Sequence, residues 1–149
     1  MKKFFILFAL QLGLMVALCT TAVAAEEPSY LNDGDTFIIM ASEYIDYYNA
    51  SITADSNGMI VLECTVTGTG IMDIIGVESI RLQKYVSGSW ADVKEWNDLY
   101  QYDSLRASTY STYHGTVGSR YRAIVTFYAE NENGYDEIEV TTESVTAKN

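Results

Sequence analysis

Two Asn-Gly pairs, at residues 57–58 and 133–134, restrict most strongly how this chain can fold. Each lies between runs in which apolar and polar residues alternate, which is the pattern of a strand with one buried face. Asn-Gly between such runs is the strongest short-range signal for a β-hairpin. The sequence therefore predicts two antiparallel hairpins with their tips at these pairs.

The rest of the body is typical of strands separated by turns, because Val, Ile, Thr and Tyr are frequent and helical spacing is rare. The runs "ESIRLQKYV" and "SWADVKEW" predict two strands joined at residues 87–89, with Ile80 and Leu82 inward and Gln83 outward. We expect "IMDIIGV" to be a buried turn between sheets, "NDLYQYDSLRA" a polar connection and "STYSTYHGTV" an edge strand.

One local stretch, "GSRYRA" at residues 118–123, resembles the tyrosine corner that opens a late strand of immunoglobulin-like domains. By that resemblance Tyr121 has a structural role, and Cys64 stands where antibody domains carry their first cysteine. Together with about seven short strands, the resemblance implies an all-β fold, an antiparallel immunoglobulin-like β-sandwich.

Arg120 and Arg122 flank Tyr121, so both arginines face outward if the tyrosine faces the core, and Arg81 can join them from a neighbouring strand. The carboxylates of Glu137 and Glu139 on the next strand then predict cross-strand ion pairs. Such exposed pairs contribute little individually.

The first 25 residues have the three parts of a secretory signal peptide: Lys2 and Lys3, the apolar run "FFILFALQLGLMVAL", and small residues with an Ala-x-Ala pattern. Leu18 before Cys19 does not fit a lipoprotein signal. We expect a signal peptide over 1–25, a flexible amino-terminal segment over 26–41 and a β-sandwich domain over 42–149. The expected location is secreted, with no stable membrane anchor after cleavage.

The charge balance narrows the range of partners. Cleavage after residue 25 removes two lysines and no acid, so the net charge falls from −11 to −13. Nucleic acids and anionic membranes bind clustered Lys and Arg, which are scarce here, so the sequence predicts no nucleic-acid partner.

The chain has few side chains of the kinds that act as nucleophile or base in catalysis. Cleavage leaves Cys64 as the only cysteine, and its alternation with Ile60, Leu62 and Val66 favours a structural, core position. The single histidine, His114, has no visible nucleophile context. The sequence therefore predicts no catalytic residues and no cofactor.

A wider resemblance rests on two segments, "NGMIVLECTVTGTGIMDIIGVESIRLQKYVSGSWADV" and "GSRYRAIVTFYAENENGYDE". They are similar to a family of small secreted proteins of Gram-positive bacteria that have a signal peptide and one β-sandwich. The resemblance implies fold and location, and carries no activity with it.

Aromatic residues are the main positive signal for function, because tyrosine and tryptophan combine a flat apolar face with a polar tip that suits sugars or proteins. The hypothesis is a non-catalytic binding module for a cell-surface glycan or protein; an exposed edge strand that pairs with another copy is the alternative. The residues predicted to bind ligand are Trp96, Tyr100, Tyr102, Tyr110 and Tyr113.

The second Asn-Gly turn also permits a calcium site, since Asn131, Asn133 and Asp136 place oxygen ligands beside a glycine. The flanking alternation favours a hairpin tip, with Gly134 in a structural role. The sequence predicts no metal site, and these three residues are the weak candidates for one.

Overall fold

A computed structural model describes residues 42–149 of the chain. The predicted signal peptide and the segment 26–41 lie outside the described residues. Among residues 42–149 no helix is long and apolar enough to cross a membrane.

The described chain forms six strands, and all neighbouring strands are antiparallel, so the prediction of an all-β antiparallel fold is confirmed. One short 3-10 turn over Ser56–Gly58 joins the first two strands. The strands are β1 (Ile45–Ala54), β2 (Met59–Val86), β3 (Ser89–His114), β4 (Arg120–Asn131), β5 (Gly134–Thr141) and β6 (Val145–Thr146).

The strands make one sheet that curls into a half-barrel around the core. Along one edge, β2 pairs with β3 for nearly its whole length. Along the other edge, β2 pairs first with β1 and then with β4. The curl brings β1 against β4, where the ring centroids of Tyr48 and Phe127 lie 5.4 Å apart. The space between holds the buried side chains, among them Ile60, Leu62 and Val125.

The sheet bends where β2 and β3 change register. Residues 68–71 of β2 lie opposite Leu105 alone, because Thr67 pairs with Arg106 and Met72 with Ser104. The predictions of a turn at "IMDIIGV" and a connection at "NDLYQYDSLRA" are therefore wrong, since both segments belong to these strands. β-Bulges accommodate the residues that interrupt the alternation of apolar and polar side chains, so the strands continue past them. Within β3, Asp98 and Asp103 have positive φ.

The three predicted hairpins are confirmed. Asn57 and Gly58 have φ of 59° and 75°, and Ser87 and Gly88 have φ of 51° and 91°. At the third hairpin Asn131 pairs with Gly134, so the loop is residues 132–133, one position earlier than the Asn-Gly pair. The Asn131 side chain sets this loop, because its Oδ1 accepts the Asn133 backbone N–H at 2.8 Å.

The side chains predicted to face the core do so, and Gln83 faces outward as predicted but is buried. Ile80, Leu82 and Tyr121 are buried in the core. Gln83 faces away from the core, yet only 8% of it is exposed. It lies between Arg122 and Asp92 and hydrogen-bonds with both, so it is covered from each side.

Candidate functional site

The five aromatic residues predicted to bind ligand do not form one site, because the register places them on two faces of the sheet. Trp96 pairs with Ile80 and Tyr113 with Ile60, so both lie on the inner face and pack against the core. Tyr113 also contacts buried Tyr121, with ring centroids 6.0 Å apart.

The other three predicted residues lie on the outer face, which is the sheet face opposite the core. Tyr100 pairs with Gly76 and Tyr102 with Ile74, so these two are close together. Tyr110 pairs with Glu63, beyond the bend. Only Tyr100 and Tyr102 can therefore contribute to a common surface.

Two further tyrosines complete that surface. Tyr128 of β4 pairs with Gly76 from the side opposite Tyr100, and the two tyrosine rings lie 5.9 Å apart. Tyr135 of β5 stacks on Tyr128 with centroids 5.7 Å apart and ring planes 27° apart. We call Tyr100, Tyr102, Tyr128 and Tyr135 the tyrosine platform.

Gly76 makes the close packing at the centre of the platform possible. A Cβ at this position would lie 2.3 Å from the Leu99 carbonyl oxygen and 2.8 Å from the Tyr100 Cα. Only glycine lets β3 approach β2 this closely, so the platform depends on the absence of a side chain here.

The platform is polar but uncharged, with acids at its border. The Tyr128 hydroxyl donates to Glu130 Oε2 at 2.6 Å, and this bond, together with burial, raises the pKa of Tyr128. Burial raises the pKa of Tyr100 as well, with further contributions from Glu78 and Asp98. Both phenols therefore stay protonated across the ordinary pH range, and because the Tyr128 proton is donated to Glu130, the Tyr128 oxygen is left to accept a hydrogen bond.

In comparisons with known proteins, no family model matches the chain, and no curated protein matches it at a significant level.

A second cluster lies at the other end of the outer face, around Trp90. The guanidinium carbon of Arg122 lies 4.5 Å from the Trp90 ring centroid, and that of Arg120 lies 5.7 Å from it. Arg120 also lies over Tyr85, at 5.3 Å, and the rings of Tyr85 and Trp90 meet edge to face.

The predicted cross-strand ion pairs are only partly present. Arg81 pairs with Glu139 at 3.0 Å. The expected pairs of Arg120 and Arg122 are wrong: within 42–149 neither arginine lies in an ion pair, because both guanidinium groups turn toward Trp90 instead. Aromatic faces attract guanidinium groups, and this contact competes with an exposed ion pair of small value.

The residues considered for calcium are engaged in the protein's own contacts. Asn131 caps its turn, and Asp136 accepts hydrogen bonds from the Ser42 hydroxyl and, at 2.7 Å, from the Tyr44 backbone N–H. In the part of the chain that the structure describes, no three His, Cys, Asp or Glu side chains are grouped to hold a metal ion.

The remaining residues singled out from the sequence lie in structural positions. Cys64 is buried, and burial raises the pKa of its thiol to about 12, so the reactive thiolate is scarce. A Cβ on Gly134 would lie 2.7 Å from the Tyr44 hydroxyl, so this glycine leaves room for the Tyr44 ring. The Tyr121 hydroxyl accepts the Thr116 backbone N–H at 2.8 Å.

Sequence reasoning missed Tyr128 and Tyr135, although a signal for them exists. Once the hairpin loop is placed at 132–133, the register sets Tyr128 opposite Glu137 and Tyr135 opposite Glu130. Both tyrosines then fall on one face, on a diagonal that aromatic side chains can reach.

Proposed function

We propose that the protein is a secreted, non-catalytic binding module that holds a glycan on the tyrosine platform. The observation that carries the proposal is the contact of three phenol rings across β3, β4 and β5 on the outer face. Tyrosine rings can stack on the apolar face of a sugar while their hydroxyls bond to its hydroxyls.

The exposure of the platform supports a role in binding. Tyr102 is 68% exposed and Tyr135 is 62% exposed, so large aromatic surfaces face the solvent. Adjacent exposed aromatic groups of this kind mark interaction sites more often than isolated ones do.

The bordering charges favour a neutral ligand. Glu130 and Glu137 project from the same face as the platform, and the whole chain carries a net charge of −11. A neutral glycan escapes the repulsion that an anionic ligand would meet here.

The test is binding to a panel of neutral oligosaccharides by array and calorimetry. Tyr102→Ala and Tyr135→Ala should each weaken binding by roughly tenfold, which is the loss of about 1.4 kcal/mol of stacking. Tyr110→Ala is the matched control, because Tyr110 is 63% exposed but lies beyond the bend. Equal affinities in all three variants would show that the glycan does not bind to the platform.

Secretion is part of the same proposal and is supported by the amino-terminal sequence pattern. The exported protein should begin at residue 25 or 26, which mass spectrometry of culture medium can measure. Full-length protein retained in cells would contradict export.

We also infer a relationship to immunoglobulin-like sandwiches. The bond between the Tyr121 hydroxyl and the Thr116 N–H supports it, because a tyrosine corner bonds back to backbone a few residues upstream. We further infer a relationship to small secreted proteins of Gram-positive bacteria, for which the sequence of residues 57–93 and 118–137 is the support.

Self-assembly is a second candidate function, and the free edge of β3 favours it. Residues 107–114 pair without interruption with β2, contain no Asp, Glu, Lys or Arg, and have no strand on their other side among the described residues. Two copies of an acidic chain would meet with least repulsion along this neutral edge. Light scattering should then detect a dimer that Ser108→Lys with Thr112→Lys converts to monomer, and a monomer of wild type at high concentration would contradict it.

A further inference from the structure

We propose that Trp90, Arg120 and Arg122 form a second binding site, which takes the carboxylate of an acidic sugar such as a uronic acid. The site shares no residue with the tyrosine platform, so it stands or falls separately from the proposed function.

The two guanidinium groups share one aromatic neighbour. Both lie within 6 Å of the centroid of one ring, that of Trp90. Arg122 donates from Nε to Gln83 Oε1 at 2.9 Å, and Gln83 is in turn bonded to Asp92 at 2.7 Å. Arg120 donates to the Ser144 hydroxyl at 3.0 Å. The arginines are therefore oriented before any ligand arrives, which lowers the entropy cost of binding.

The hydrogen-bond donors of Arg120 and Arg122 are only partly used. The bond from Arg122 uses Nε alone, so its two terminal amino groups are left for a bidentate acceptor. In a chain with 20 acidic residues and 9 basic ones, neither guanidinium has a carboxylate oxygen within 4 Å among residues 42–149. Two cations that lie against one aromatic ring and have no carboxylate partner offer a site for an anion from outside.

The local charges favour a singly charged anion. The Asp92 carboxylate lies near Arg122, separated from it by the side chain of Gln83, and the whole chain has a strongly negative net charge. Repulsion grows with the charge of the ligand, so a carboxylate meets less of it than a dianionic phosphate. The planar fork of arginine also matches the two oxygens of a carboxylate.

The surroundings favour a sugar as the body that carries the carboxylate. Tyr85 contacts Trp90 and Arg120, is 40% exposed and provides an apolar surface beside them. Arg122 and Tyr128 lie on the same face of β4, since alternate residues of a strand share a face. The cluster is six residues, or roughly 20 Å, from the platform along that strand. An extended glycan on the outer face would reach both ends.

The test uses a galacturonic acid disaccharide, which is too short to reach the platform. Trp96→Phe leaves Trp90 as the only tryptophan, so fluorescence reports on this site. We expect a saturable fluorescence change, weakened at least tenfold by Arg122→Gln and by Arg120→Gln. Arg120 is exposed, so its variant keeps the test valid if Arg122→Gln does not fold.

The controls separate this site from a general effect of charge. Arg106→Gln removes an exposed arginine elsewhere on β3 and should leave the affinity unchanged. Arg122→Lys keeps the charge but not the fork and should bind several-fold more weakly than wild type. A matched neutral galactose disaccharide should give no change.

Several results would overturn the proposal. These are the absence of saturation up to millimolar disaccharide, equal affinity in the arginine variants, or tighter binding of inorganic phosphate or of an acidic peptide. Because the platform is tested with neutral glycans and with tyrosine variants, failure at one site is distinguishable from failure at the other.

Discussion

The hydroxyl of Tyr121 accepts the backbone N–H of Thr116 at 2.8 Å, and so ties the loop before β4 to the core. The ring is buried and contacts Tyr113. The hydroxyl is thus the polar end of an otherwise apolar anchor, and its removal can be tested separately from the ring.

Tyr121→Phe should lower the free energy of unfolding by about 1 kcal/mol, because the ring stays and one hydrogen bond is lost. Urea denaturation measures it. Tyr113→Phe is the matched control, since no hydrogen bond of the Tyr113 hydroxyl is found among the described residues, and it should change stability much less. Equal losses in the two variants would show that the bond to Thr116 contributes nothing.

Tyr48 presents the opposite case. Its side chain is 5% exposed, and its hydroxyl has no hydrogen-bond partner within 42–149. Burial of an unpaired hydroxyl is unfavourable by about 1–3 kcal/mol, so Tyr48→Phe should leave stability unchanged or increase it. A thermal melt of the variant tests this, and a clear decrease in melting temperature would reveal a partner for the hydroxyl.

Asp136 should make stability depend on pH. Burial alone would raise the pKa of this carboxyl, but hydrogen bonds from Ser42 and from the Tyr44 backbone outweigh burial and hold the pKa below its ordinary value of 3.8. A lowered folded-state pKa stabilises the fold above the unfolded-state value, and this stabilisation is lost as pH falls through the folded-state value.

Asp136→Asn should therefore destabilise the protein at pH 7, and the difference from wild type should shrink as the pH falls below about 4. Urea denaturation at a series of pH values provides the comparison. Glu137→Gln, at the exposed neighbouring position, is the control and should show little difference at either end. A constant difference across the series would contradict the linkage.

Gly76 and Gly70 form a matched pair in β2. A Cβ on Gly76 would collide with the backbone of β3, whereas a Cβ on Gly70 meets nothing within 4 Å. Gly76→Ala should cost roughly 1–3 kcal/mol through overpacking and should also disturb the platform, while Gly70→Ala should be close to neutral. Unfolding in urea measures both, and similar stabilities of the two variants would contradict the close approach of the strands.

Local signals predicted the turns well because their causes are local. Asn57, Gly58 and Gly88 take positive φ, which glycine and asparagine adopt at low cost, and the alternation around Ile60 and Leu82 places one face in the core. The third hairpin moved by one residue because the Asn131 side chain sets the loop.

The sequence by itself determined the antiparallel all-β class and, to within one residue, the positions of three hairpins, since both follow from turn chemistry and a period of two. Only the tertiary structure decided that β2 and β3 continue through the bend, because long-range pairing outweighs the local effect of Asp73 and Gly76, which interrupt the apolar run "IMDIIGV". The tertiary structure also decided which residues form the two clusters on the outer face, the tyrosine platform and the group around Trp90. Their members come from strands far apart in the chain, so Tyr128 and Trp90 meet their partners only after the register between strands is established.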